Sequence, residues 1–105
     1  MRNEPPAPAT AGHWEFLTNH AQVLLCLAAD PRLTMREVSA RVGITERAVQ
    51  RIVSELEATG YVTITRVGRR NEYAVNRGTP LRSSVVEGRP AGWLFDLLER
   101  KSKSK

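Results

Sequence analysis

The chain has 105 residues, enough for one domain of ordinary size and too few for two. Its hydrophobic share of 41% is typical of a globular protein, and 16 basic against 11 acidic side chains indicate an anionic partner. A single cysteine excludes an internal disulfide and no apolar run is long enough to cross a bilayer, so we expect a cytoplasmic protein.

The first segment, residues 1–12, is rich in proline and alanine and predicts a disordered tail without the apolar stretch of a signal peptide. A domain is then expected over residues 13–76, opening on an apolar cluster of Trp14, Phe16 and Leu17. A helix over residues 19–29 follows, with Thr18 as its N-cap and Asp30-Pro31 as its end.

Two further helices are predicted from their capping residues. Thr34 and Glu37 have the spacing of a capping box, and Gly43 supplies a left-handed residue after a helix that ends at Val42. Thr45 caps the third helix, which extends to about residue 59 and is closed by Gly60. Its apolar stripe has the spacing i, i+3, i+4, i+7 and consists of Val49, Ile52, Val53 and Leu56.

The pattern then changes to alternation over residues 61–75, with a turn signal at residues 68–71, which predicts a β-hairpin. One register follows if Arg69 and Arg70 form a two-residue loop. This register pairs Ile64 with Val75 and Arg66 with Tyr73. It also gives the hairpin one apolar face, made of Val62, Ile64, Tyr73 and Val75.

Beyond the hairpin, residues 77–89 predict a flexible linker, residues 90–101 an amphipathic helix and residues 102–105 a basic tail. The apolar clusters at the two ends either pack on each other within one chain or join two copies. We expect a homodimer in which the last helix reaches the partner, so that a chain ending near Arg89 still folds. The expected dimerisation residues are Trp14, Phe16, Leu17, Trp93, Leu94, Leu97 and Leu98.

Two helices separated by a short turn with glycine have the arrangement of a helix-turn-helix. Counted from Met35, that motif favours apolar residues at its fourth, eighth, tenth, fifteenth and eighteenth places and small ones at its fifth and ninth. The chain fills these places with Val38, Val42, Ile44, Val49, Ile52, Ser39 and Gly43. With a hairpin directly after it, the stretch from Trp14 to Val75 resembles the winged helix-turn-helix of MarR-type and related small bacterial regulators.

The resemblance implies a three-helix core with a β-hairpin wing and an additional C-terminal helix. It also implies a transcriptional regulator that binds double-stranded DNA as a homodimer on a palindromic operator. A winged helix is also used for protein interaction alone, and the basic tail fits nonspecific nucleic-acid binding, so both remain alternatives. The exposed Arg47, Gln50 and Arg51 favour DNA over protein.

The outer face of the third helix carries side chains suited to base readout, since arginine pairs with guanine and glutamine with adenine. The first amides of the second and third helices could bind phosphates, and Arg36 and Arg41 could contact the DNA backbone. The wing could reach phosphates or a narrow minor groove. Glu46 either accepts from cytosine or, as we prefer, stabilises the helix start. The expected DNA-binding residues are Thr34, Arg36, Thr45, Glu46, Arg47, Gln50, Arg51, Ser54, Arg66, Arg69, Arg70 and Asn71.

No other chemistry is indicated. Cys26 is interpreted as a small apolar residue, with a redox sensor as the alternative. His13 and His20 lack the neighbours of a metal site, and no set of residues typical of catalysis is present, so we expect neither a cofactor nor an enzyme. The sequence identifies no small-molecule effector.

Overall fold

The structure, a computed structural model, describes residues 14–86 and 88–99. It contains α1 (Asn19–Ala29), α2 (Met35–Val42), α3 (Glu46–Ala58), β1 (Val62–Val67), β2 (Arg70–Val75) and α4 (Ala91–Glu99). This order confirms the predicted fold class, a three-helix core followed by a hairpin and a last helix. The predicted tails, residues 1–12 and 102–105, lie outside the described residues.

The helix ends follow the capping residues predicted from the sequence. The Thr18 hydroxyl accepts from the amide of Ala21 at 3.1 Å, and α1 ends at Asp30. Both halves of the capping box at Thr34 and Glu37 are formed. Gly43 follows α2 with φ +86°, a left-handed conformation that a side chain would strain.

The core lies where α1, α2 and α3 meet, and each helix contributes one apolar face to it. Val23, Val38 and Val49 are fully buried, and no polar side chain is buried in the part of the chain that the structure describes. Burial of this apolar surface is the main stabilising contribution to such a small domain. Cys26 is half-buried against this core, as expected for a small apolar residue, and burial raises the pKa of its thiol.

The register of the hairpin differs from the prediction. Val62 pairs with Val75 and Ile64 with Tyr73, so the loop is Gly68-Arg69 and Arg70 is the first residue of β2. The reason is Gly68, whose φ of +63° suits the first position of a two-residue loop far better than an arginine would. Because the shift is by two residues, the apolar side chains stay on the predicted face.

The last helix belongs to the same core, so the prediction of an independent helix on a flexible linker is wrong. Ala91 and Phe95 are fully buried within the chain. The amides of Ala91 and Gly92 donate to the carbonyls of Thr79 and Arg77, each at 2.8 Å. These bonds fix the segment before α4, and a chain ending near Arg89 would lose part of its core.

Other apolar side chains at the two ends remain in solvent. Trp14 is 69% and Phe16 90% exposed, and their rings meet edge to face with centroids 5.0 Å apart. Leu97 and Leu98 on α4 are 52% and 47% exposed. No helix among the described residues has the length and apolar character needed to cross a membrane.

Candidate nucleic-acid interface

The outer face of α3 is an uninterrupted polar surface. Its five side chains are all exposed, while the apolar stripe on the opposite side is buried in the core. Helical periodicity alone produces this division, because residues at i, i+3, i+4 and i+7 share one face. We call this surface the α3 face, and it consists of Glu46, Arg47, Gln50, Arg51 and Ser54.

The N-terminal half of the α3 face is free to bind. Within the described residues, no hydrogen bond or ion pair engages the side chains of Arg47 and Gln50. Thr45 accepts from the amide of Ala48 at 3.0 Å, which leaves its hydroxyl proton available as a donor. The first amides of a helix have no partner inside the helix, so this end presents several donors to an anion.

At the start of α2, unlike that of α3, a carboxylate of the chain itself already binds at the N-terminus of the helix. The carboxylate of Glu37 accepts from the amide of Thr34 at 2.8 Å and from its hydroxyl at 3.2 Å. A negative charge therefore already sits at the helix end where we expected Thr34 to meet a phosphate. Arg36 is exposed in the first turn beyond it.

The C-terminal half of the α3 face is partly neutralised. Arg51 Nη1 lies 3.7 Å from Glu55 Oε2, while Glu55 Oε1 lies 2.6 Å from His20 Nε2 of α1. The hydrogen bond to His20, aided by the charge of Arg51, lowers the pKa of Glu55. Glu55 therefore stays ionised, and its charge partly offsets that of the exposed Arg51.

The wing presents one arginine at its tip rather than two. Arg69 lies in the loop and is exposed, whereas Arg70 begins β2 and its Nη2 donates to the carbonyl of Arg32 at 3.5 Å. The Nε of Arg66 donates to the carbonyl of Gly68 at 3.1 Å, and Asn71 is paired with Arg66 across the hairpin. The expectation that both loop residues are arginines is wrong, for the same reason that the register shifted.

The wing is held to the turn between α1 and α2. The amide of Tyr73 donates to the carbonyl of Pro31 at 3.1 Å, and Arg32 Nε lies 4.0 Å from Glu72 Oε2. Arg32 therefore stands beside the wing as a further exposed cation that the sequence analysis left out. Its neighbours, Arg70 and Glu72, are about forty residues away along the chain, so no local pattern could have indicated it.

Potential metal ligands are dispersed in the part of the chain that the structure describes. No group of three or more potential metal ligands comes together among residues 14–86 and 88–99. His20 is hydrogen-bonded to Glu55, and His13 lies outside the described residues.

Comparison with known proteins agrees with this geometry. A family model described as winged helix-turn-helix DNA-binding matches residues 18–63, which include all three core helices and the start of β1. No curated protein matches the chain. The matched residues are thus similar in sequence to a winged helix-turn-helix DNA-binding domain.

Solved structures give the same fold. The PcaV transcriptional regulator from Streptomyces coelicolor, solved with its natural ligand, is 25% identical, with 90% of this chain and 68% of that chain covered and a TM-score of 0.54. MepR, a transcription regulator of the Staphylococcus aureus multidrug efflux pump MepA, is 19% identical, with 82% and 62% covered and a TM-score of 0.53. These neighbours are regulators and not enzymes, and they confirm the resemblance to MarR-type proteins in fold.

Proposed function

We propose that this chain, whose residues 18–63 resemble a winged helix-turn-helix DNA-binding domain, is a transcriptional regulator that binds a specific duplex site as a homodimer. The observation that carries the proposal is the free N-terminal half of the α3 face. A recognition helix enters the major groove with its N-terminal residues, and Arg47 and Gln50 stand there without a partner among the described residues. Their side chains have the donors and acceptors that read guanine and adenine edges.

Contacts to the DNA backbone would hold the helix in register. Thr45 and the amides of the first turn of α3 fit one phosphate, and Arg36 of α2 lies on the same motif. Arg69 at the tip of the wing would reach a phosphate or the adjacent minor groove. These contacts add affinity on any sequence, whereas Arg47 and Gln50 add specificity. Such a regulator acts on the chromosome, which supports a cytoplasmic location.

The homodimer is supported by what the single chain leaves exposed. Trp14, Phe16, Leu97 and Leu98 remain in solvent, and clustered apolar surface of this kind marks protein interfaces. A two-fold dimer would present its two recognition helices about 34 Å apart, one turn of DNA, to a palindromic site. PcaV and MepR are regulators of the same fold, which supports the role in transcription.

The proposal is tested by selecting sites from a pool of random duplexes and measuring affinity for the selected and a scrambled duplex at several salt concentrations. We expect a palindromic site bound at least a thousandfold more tightly than the scrambled duplex. Equal affinity for both duplexes would make the protein a nonspecific binder. Absence of binding to either would identify an interaction module. Light scattering on the full chain at tens of micromolar tests the dimer, which a monomeric mass would contradict.

A further inference from the structure

An apolar cavity of about 530 Å³ opens beside α1, on the side of the domain formed by the end of α3 and by α4. Its apolar walls include Leu24, Leu56, Leu94 and Phe95. Leu97 and Leu98 follow Leu94 by three and four residues on α4, so they extend the apolar wall onto the surface. The cavity is thus the deep end of one apolar surface, which we call the α4 groove.

The same chain carries an exposed aromatic pair, Trp14 and Phe16, that does not line this groove. The side-chain amide of Gln22 donates to the Glu15 carboxylate at 2.6 Å and to the Leu17 carbonyl at 3.0 Å. Gln22 is two residues from both His20 and Leu24, which line the cavity, and residues two apart lie on nearly opposite sides of a helix. Glu15 and the Leu17 carbonyl are thereby tied to the side of α1 away from the cavity, and the neighbouring Trp14 and Phe16 are exposed.

We propose that the aromatic arm, residues 14–17, inserts into the α4 groove of a second copy of the chain, and that the two copies exchange arms. The inference rests on the proposed homodimer and specifies its contacts. An aromatic arm that its own chain holds outside, and an apolar groove that its own chain leaves empty, are complementary parts of one interface. In a two-fold dimer each contact is made twice, arm to groove and groove to arm.

The chemistry of the two surfaces matches. The indole N–H of Trp14 needs an acceptor when it is buried, and the groove offers the hydroxyl oxygens of Thr18 and Thr59. Glu15 lies between the two aromatic residues, and Arg82 in the cavity wall carries the opposite charge. The arm thus brings a donor and an anion to a cavity that has acceptors and a cation.

The surface area that arm exchange would bury is also large enough for a stable dimer. Each arm would bury about 300–400 Å² of its own aromatic surface, and the groove a comparable area. Over two exchanged arms the total reaches about 1,200–1,600 Å², within the range of specific, stable protein interfaces. Leu97 and Leu98 would add to it at the mouth of the groove.

The test uses the full chain and two variants with opposite defects. Trp14→Ala with Phe16→Ala removes the arm, and Ala58→Arg fills the groove from an exposed position at its wall. Glu57→Arg, on the neighbouring exposed residue outside the groove, is the matched control. Circular dichroism shows that each variant is folded, and sedimentation equilibrium at tens of micromolar gives its mass.

We expect either defect alone to give monomers, while Glu57→Arg remains dimeric. An equimolar mixture of the arm variant and the groove variant should recover a dimer fraction that neither variant has alone, because one arm and one groove are intact in each mixed pair. A dimer that survives Ala58→Arg, or a mixture that stays monomeric, would overturn arm exchange and leave the homodimer standing. A wild-type chain that is itself monomeric would overturn both.

Discussion

The two amphipathic helices α3 and α4 place one face each in the same core, yet their outer faces differ. On α3 every large apolar side chain is buried, and what remains outside is polar. On α4 Ala91 and Phe95 are buried, but Leu97 and Leu98 stay about half exposed. The difference matches the two partners of the proposed function, a nucleic acid for the donors on α3 and a second protein chain for the leucines on α4.

The largest effect is expected where α4 enters the core. Phe95→Ala should lower the free energy of unfolding by about 3–5 kcal/mol, because a fully buried ring leaves a cavity behind. Leu97→Ala, measured at dilute protein where the chain is monomeric, should change it by less than about 0.5 kcal/mol. Urea unfolding measures both. Equal stability of the two variants would mean that α4 is not part of the core.

The α3 face should show the next largest effect. Arg47→Ala or Gln50→Ala should weaken binding to the selected duplex by about 1–3 kcal/mol and relax the preference at one base pair. Glu57→Ala, on the exposed end of α3 beyond the face, is the control and should leave specificity unchanged. Titration of selected and scrambled duplexes separates the two roles. An equal loss on both would assign Arg47 and Gln50 to the DNA backbone.

The two neighbouring arginines of the wing, Arg69 and Arg70, should contribute differently to the salt dependence of DNA binding. Arg69→Ala should reduce the slope of log affinity against log salt by about 0.9, the contribution of one phosphate contact. Arg70→Ala should change that slope much less, since its guanidinium is directed to the carbonyl of Arg32. Affinity measured from low to moderate salt gives both slopes. If Arg70→Ala produced the larger change, the orientation of the wing described above would be wrong.

The smallest effect is a pH dependence at Glu55. Its pKa is lowered from the ordinary value of 4.5, first by the hydrogen bond from His20 and further by the charge of Arg51. A lowered pKa stabilises the folded state above the ordinary value, and this stabilisation disappears as the pH falls through the folded value. Wild type should therefore exceed Glu55→Gln in urea midpoint at pH 6 and approach it in strong acid. Glu57→Gln is the matched control, and a difference independent of pH would contradict the coupling.

Local signals fixed most of the fold. The capping box of Thr34 and Glu37 and the glycine at position 43 act over three or four residues, so the helix ends could be predicted from the sequence. The hairpin register was predicted wrongly although its signal is local, because a glycine favours the first position of a two-residue loop and the prediction placed Arg69 there. Both registers place the same apolar side chains on one face, so the hydrophobic pattern does not distinguish between them.

Long-range contacts explain the other differences. Phe95 lies in a helix that is apolar on more than one side, so periodicity did not reveal which side faces the core. The pairing of Arg77 with Asp96 joins residues 19 apart, and that of His20 with Glu55 joins residues 35 apart. The first links α4 to the segment that follows the wing, and the second places an ionised carboxylate beside Arg51 of the α3 face. Neither pairing follows from a local pattern.

The central claim is that DNA is bound by the α3 face and the wing, whereas α4 serves protein contact. Titrating the isotope-labelled full chain with the selected duplex and following backbone amide shifts by nuclear magnetic resonance tests it most directly. We predict the largest shifts at residues 45–51 and 68–70, with the amides of residues 93–98 nearly unmoved. The largest shifts along α4, with α3 unaffected, would contradict the account.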